Sequence, residues 1–197
     1  MATGQVFTTL GKKLAMHRIF ESSPTYSVPN WFKVGTGTTT PVVGDTVIQT
    51  PVYRTTGTNT STSAYKLINS GETFQTDGVQ VGDHVRNTTD ATITTVASVD
   101  SEIQLTLNAD IFLATGKTYY VDFTKSIMPA YPTFDDTNLV VTTRAILLTT
   151  ECNGSSLTEF GLFNGDVTPR MASHCVYTAI SKTVSIQVIY VEKDQIT

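Results

Sequence analysis

The chain has 197 residues, enough for one domain or two small ones with a real core. Charged residues are only 15% and the net charge is −4, with threonine filling roughly one position in five. Nucleic-acid binders show a clustered basic face, and the only basic cluster here, Lys12, Lys13 and Arg18, reads as a solvated helix face, so no nucleic-acid partner is expected.

Threonine is β-branched and suits a pleated surface better than a helix interior. A threonine-rich, charge-poor surface fits a protein packed against copies of itself, and equally fits an ordinary β-rich domain. The opening MATGQVFTTLGKK has no apolar run ahead of its lysines, so no signal peptide is expected. No run of 18 apolar residues occurs, so no membrane helix is expected either. Cys152 and Cys175 form no C-x-x-C, and buried thiols are the default for such a pair.

Residues 6–20 are the one helix candidate, with Val6, Leu10, Leu14 and His17 on one face. Gly11 weakens its interior by about 1 kcal/mol relative to alanine, and Pro24 limits its length. From Trp31 the pattern turns to strands: Trp31–Val34, then a Gly-Thr loop at 35–38, then a short extended piece around Asp45–Arg54. Residues 55–63, TTGTNTSTS, read as an exposed flexible connector. Residues 67–127 read as a small β-module, with strands around 79–85, 92–99, 103–107 and 119–123.

Residues 137–192 carry the strongest pattern. A long strand is expected from Leu139 to Cys152, then 157–163, then 171–180, with Asn153-Gly154 and Asn164-Gly165 as hairpin turns of a three-strand meander. Val184–Val191 adds a fourth strand, apolar on both faces and therefore expected to be covered on both. Asp135-Asp136 reads as a turn before the long strand.

No catalytic or cofactor motif is present: there is no P-loop, no G-x-G-x-x-G and no G-x-S-x-G. His17, His84 and His174 are widely spaced, and His174 and Cys175, as strand neighbours, point to opposite faces. No metal, no cofactor and no catalytic residue is expected, and no glycosidase-type carboxylate pair stands out.

The segment LTEFGLFN at 157–164, followed by a strand ending in Ile180-Ser181-Lys182-Thr183, resembles the C-terminal β-meander of bacteriophage tail-fibre, collar and baseplate proteins. Upstream, V-G-T-G-T at 34–38, Asp45-Thr46 and Pro51-Val52-Tyr53-Arg54 resemble the first half of the same family pattern. The resemblance marks Glu159, Gly161, Leu162, Phe163 and Lys182 as structural motif residues. Glu159 should be paired, with Arg144, Arg170 and Lys182 as candidates, and should fix the following turn and last strand. Phe160, Leu162 and Phe163 cannot all face one side, and Gly161 in mid-strand suggests a bulge or close backbone approach.

The expected fold is mainly β: an antiparallel β-sandwich, residues 1–66 with 128–197, one N-terminal helix, and an inserted β-barrel-like module at 67–127. The resemblance implies a virion component, made in a host cytoplasm and assembled with other phage structural proteins, as a homo-oligomer of three or more copies. It implies neither enzyme activity nor a membrane or nucleic-acid partner. A host-surface glycan-binding module at 67–127 is the alternative, held second because its aromatics, Phe74, Phe112, Tyr119, Tyr120 and Phe123, are few and mostly at core-like strand positions. A capsid decoration protein is the second, and an enzyme degrading envelope polymer stands behind both.

Overall fold

The computed structural model describes residues 2–195, and the chain is mainly β, with antiparallel sheets and one helix. In chain order the elements are β1 (Ala2–Phe7), α1 (Thr9–Phe20), β2 (Pro29–Gly35), β3 (Tyr53–Thr58), β4 (Lys66–Ile68), β5 (His84–Asn87), β6 (Thr92–Ser101) and β7 (Gln104–Leu107). Then follow β8 (Thr118–Asp122), β9 (Lys125–Ser126), β10 (Thr133–Asp135), β11 (Val140–Leu147), β12 (Ser156–Asn164), β13 (Met171–Ser181) and β14 (Val188–Gln195). They divide into two compact units, one of residues up to Val52 with those from Lys125 onward, the other Tyr53–Thr124.

The first unit holds two sheets, β1-β13-β12-β2-β9 and β10-β11-β14. Tyr190 of β14 joins them: its ring lies 5.0 Å from Phe160 of β12 and 6.5 Å from Phe32 of β2, and its hydroxyl meets that of Tyr177 on β13 at 2.6 Å. β12 is the central strand of its sheet, and every residue from Leu157 to Asn164 is buried, as expected of a strand covered on both faces. On the far face of that sheet, Ile48, Phe163 and Met171 cluster with Trp31.

Several elements depart from those expected of the sequence. The helix starts at Thr9, not residue 6, because Thr8 caps it by accepting from Gly11 N. Val6 instead belongs to β1, opposite His174 of β13. The expected strand from Leu139 to Cys152 stops at Leu147, where the Glu151 carboxylate takes Leu148 N and closes a turn. The meander expected across both Asn-Gly turns does not form, because β11 pairs with β10 and β14 while β12 pairs with β13 and β2. Asn153-Gly154, with Gly154 at φ +81°, therefore carries the chain from one sheet to the other. Asn164-Gly165 does join paired strands, through a longer loop closed by Asn164 N to Arg170 O and Arg170 N to Asn164 Oδ1. The last strand is shifted to Val188–Gln195, and the expectation that both its faces are covered fails: Val188, Tyr190 and Glu192 are buried while Ile189 and Val191 are exposed. Of the tail after that expected strand, Lys193–Gln195 extend β14, and 196–197 lie outside the described residues.

The second unit is one curled, half-barrel-like sheet in the order β3-β8-β5-β6-β7-β4. Its core gathers Leu67, Phe74, Val85, Val96, Leu105, Phe112, Tyr119 and Val121. The unit begins at Tyr53, not at residue 67, and ends at Thr124. The stretch 55–63 is not an exposed connector: Thr55–Thr58 pair with β8, and the Asn59 side chain is buried, donating to Ser61 O and Ala114 O and accepting from Lys117 N. Thr-Gly-Thr-Asn looks like a linker by composition, but as a strand its threonines pair and its asparagine completes a turn.

Candidate functional site

The motif of β12 meets the upstream Gly-Thr-Gly segment at Glu159. Its carboxylate is fully buried and accepts four hydrogen bonds: from Gly37 N at 2.9 Å, Gln49 N at 2.9 Å, Thr50 N at 2.7 Å and His174 Nε2 at 3.1 Å. The other imidazole nitrogen, Nδ1 of His174, faces Asp45 Oδ2 at 2.7 Å, and Asp45 in turn accepts from Val42 N. Thr158 Oγ1 donates to Gly37 O beside it. The glycines make room: a Cβ on either Gly35 or Gly37 would lie 2.5 Å from Glu159 Oε1. Glu159 thus pins the bend after β2 and the return at Gln49-Thr50 to the sheet.

Burial pushes the Glu159 carboxyl up, but the hydrogen bonds from His174, Gln49, Thr50 and Gly37 outweigh it and hold it below its ordinary value. Burial pushes the His174 imidazole down, but the Glu159 and Asp45 carboxylates outweigh that and raise it. Both shifts favour the charged forms of Glu159 and His174 beside each other.

The expected partners of Glu159 are elsewhere. The Arg170 guanidinium stacks on the Tyr26 ring at 4.2 Å. Lys182 is buried and donates to Asn153 Oδ1 at 3.0 Å, Thr183 O at 3.1 Å and Thr149 O, welding the connection between the sheets. The Arg144 Nε is buried without a partner. Three backbone amides and an imidazole satisfy the carboxylate instead, and it fixes the 37–50 loop instead of the turn after β12. Asp45 and His174 lie 129 positions apart, so no spacing rule joins them; the signal lay in Asp45 within the upstream pattern and a histidine at an apolar strand position.

The other motif residues are packing devices. A Cβ on Gly161 would meet the Phe163 ring at 2.9 Å and Ile48 and Met171 at 3.0 Å, so glycine permits a close approach. Phe163 belongs to that face, while Phe160 packs on Tyr190 in the sandwich interior, and Leu162 is buried with them. The three apolar residues split between two covered faces, and none is left outside. The Lys33 ammonium sits over the Phe163 ring at 5.2 Å.

Chemically, both nitrogens of His174 are committed to carboxylates, and the ring is fully buried. A general base must reach a substrate proton, and this one holds no ring nitrogen for it. Burial pushes the Cys175 thiol up to about 11, the opposite of an activated nucleophile. Among the described residues, no group of three or more His, Cys, Asp or Glu side chains is arranged to hold a metal. No helix among them is long and apolar enough to cross a membrane.

Most aromatics of the second unit are used internally, while Tyr65 is exposed. Phe74, Phe112 and Tyr119 form core contacts, Phe123 carries the Arg54 guanidinium at 4.2 Å, and Tyr120 lies 4.4 Å from Tyr53.

The fold and the buried chain define a β-sandwich-like protein with a second half-barrel unit. The chain matches no protein-family model, no curated protein and no solved structure.

Proposed function

We propose that this chain is a structural component of a bacteriophage virion, a tail-fibre, collar or baseplate-associated protein that acts by assembling with other virion proteins and with copies of itself. The observation that carries the reading is the use made of Glu159. The two separated halves of the phage-like pattern, Gly35-Thr36-Gly37 with Asp45 and Glu159 with Gly161, meet in one buried lock. A motif whose only acid is saturated by backbone amides and an imidazole is built for architecture. The glycan-binding reading of the second unit has less support, since Phe74, Phe112 and Tyr119 sit in its core.

Electron cryomicroscopy and peptide mass spectrometry of particles purified from the host that carries the gene test this. The expected result is density for both units at symmetry-related positions and peptides at constant stoichiometry. Absence of the chain from purified particles overturns the reading.

A further inference from the structure

A second polar cluster lies inside the sandwich, away from Glu159. β14 places Glu192 and Asp194 two residues apart on one face. Gln5 Nε2 on β1 donates to Glu192 Oε1 at 3.0 Å and to Asp194 Oδ1 at 3.1 Å, so one amide holds the two carboxyls together. Glu192 is 1% exposed, yet its Oε2 has no hydrogen-bond partner. The same is true of the hydroxyls of Ser173 on β13 and Thr143 on β11, which are 1% and 4% exposed. Thr143 is the register partner of Glu192, and Ser173 lies close enough to favour the charged carboxylate without hydrogen-bond geometry. Asp194, Ser173, Gln5 and the Cys175 thiol act on Glu192, and none of them carries a positive charge.

Two carboxyls brought together in a low-dielectric interior need a neutralising charge. We propose that this cluster binds a hard divalent cation of the calcium type, held by Glu192, Asp194, Ser173, Thr143 and the amide oxygen of Gln5. The donors are all oxygen, which suits calcium and does not suit zinc or copper. Half a turn of the Gln5 amide exchanges Nε2 for Oε1 and aims a fifth oxygen at the same point. Cys175 nearby stays a protonated thiol and contributes no thiolate. Gln5 is exposed and Asp194 half-buried, so the cluster opens to solvent at that end, where water completes the shell.

The rival neutraliser is a proton, since burial and the Asp194 charge push Glu192 up to about 8. The full chain, stripped with chelator, separates the two. Calcium chloride added near neutral pH should raise the melting temperature of the wild type by several degrees. Terbium, a calcium stand-in, should give luminescence sensitised by Tyr190, two residues from Glu192 on the same face, and calcium should compete it away. Glu192→Gln and Asp194→Asn remove a buried charge and should fold at least as well without metal, while binding terbium about tenfold or more weakly. Ser173→Ala is a milder third variant that should weaken terbium binding without altering charge. Equal melting in calcium and chelator with no terbium signal overturns the proposal in favour of the proton, and a terbium signal unchanged in all three variants overturns it by placing the ion elsewhere.

Discussion

Glu159 Oε2 on β12 and His174 Nε2 on β13 are 3.1 Å apart, and the same carboxylate holds the backbone of the loop that crosses them. Glu159→Gln replaces one acceptor oxygen with an NH2 that must face a backbone N–H or the imidazole. A buried donor set against a donor loses the bond and the ion pair together, a cost of about 3 kcal/mol. The expected outcome is a melting temperature lower by roughly 10 °C. Hydrogen exchange should quicken first at the amides of Gly37, Gln49 and Thr50. A variant that melts with the wild type and keeps those amides protected refutes the lock.

Gly11 gives a prediction of unusual sign. Glycine in a helix interior is worse than alanine by about 1 kcal/mol, so Gly11→Ala would ordinarily stabilise. Here a Cβ would lie 2.2 Å from Ala172 O, with backbone atoms of β13 behind it. The helix must move off the sheet, breaking the Thr8 N to Ala172 O bond. Gly11→Ala should therefore destabilise by about 2 kcal/mol, measured by denaturant unfolding. A stabilised variant would show that the helix is held less closely than the structure gives.

What the sequence revealed and what it hid follow from range. The hairpin loop after Asn164 was legible because its determinants lie within a few residues, whereas the one-sided burial of β14 was not, since Ile189 and Val191 read as a second covered face. The pairing of β11 with β14 was not, since an Asn-Gly after a strand reads the same whether the next strand lies beside it or in the facing sheet. Glu159 was legible as an acid in need of a partner, but its partners are mostly main-chain amides, which leave no mark in side-chain identity. Asp45 and His174 meet only through the tertiary fold.

The boundary of the second unit is the plainest such case, and it can be tested by excision. Tyr53 opposes Asp122 in register, so the unit's first and last strands are neighbours and its ends lie together. A fragment of residues 53–124 should fold alone, with a cooperative melt and dispersed amide resonances, on the core around Phe74, Leu105 and Tyr119. The fragment 67–127, cut where composition suggests, loses β3 from the side of β8 and the Asn59 turn, and should not melt cooperatively. Equal behaviour of the two fragments would mean that β3 contributes nothing to the unit.

Acid should act on that unit through Asp100. Its carboxylate accepts from Lys66 Nζ at 2.8 Å, Ser98 Oγ at 2.6 Å, Gln104 Nε2 at 3.0 Å and Thr106 Oγ1 at 2.8 Å, tying β4, β6 and β7 together. Burial pushes the carboxyl up, but these four donors outweigh it and hold it well below its ordinary 3.8. A carboxyl depressed in the folded state binds fewer protons there than in the unfolded chain. Its stabilisation is therefore fully present above 3.8 and is lost as pH falls from there toward the folded value. Asp100→Asn cannot ionise and keeps fewer of these bonds. The wild type should exceed it in stability near neutral pH, and the gap should close as pH falls below 3.8 in urea melts of residues 53–124 followed by tyrosine fluorescence. A gap that stays constant with pH would mean that the charge of Asp100, as distinct from its hydrogen-bond shape, adds nothing.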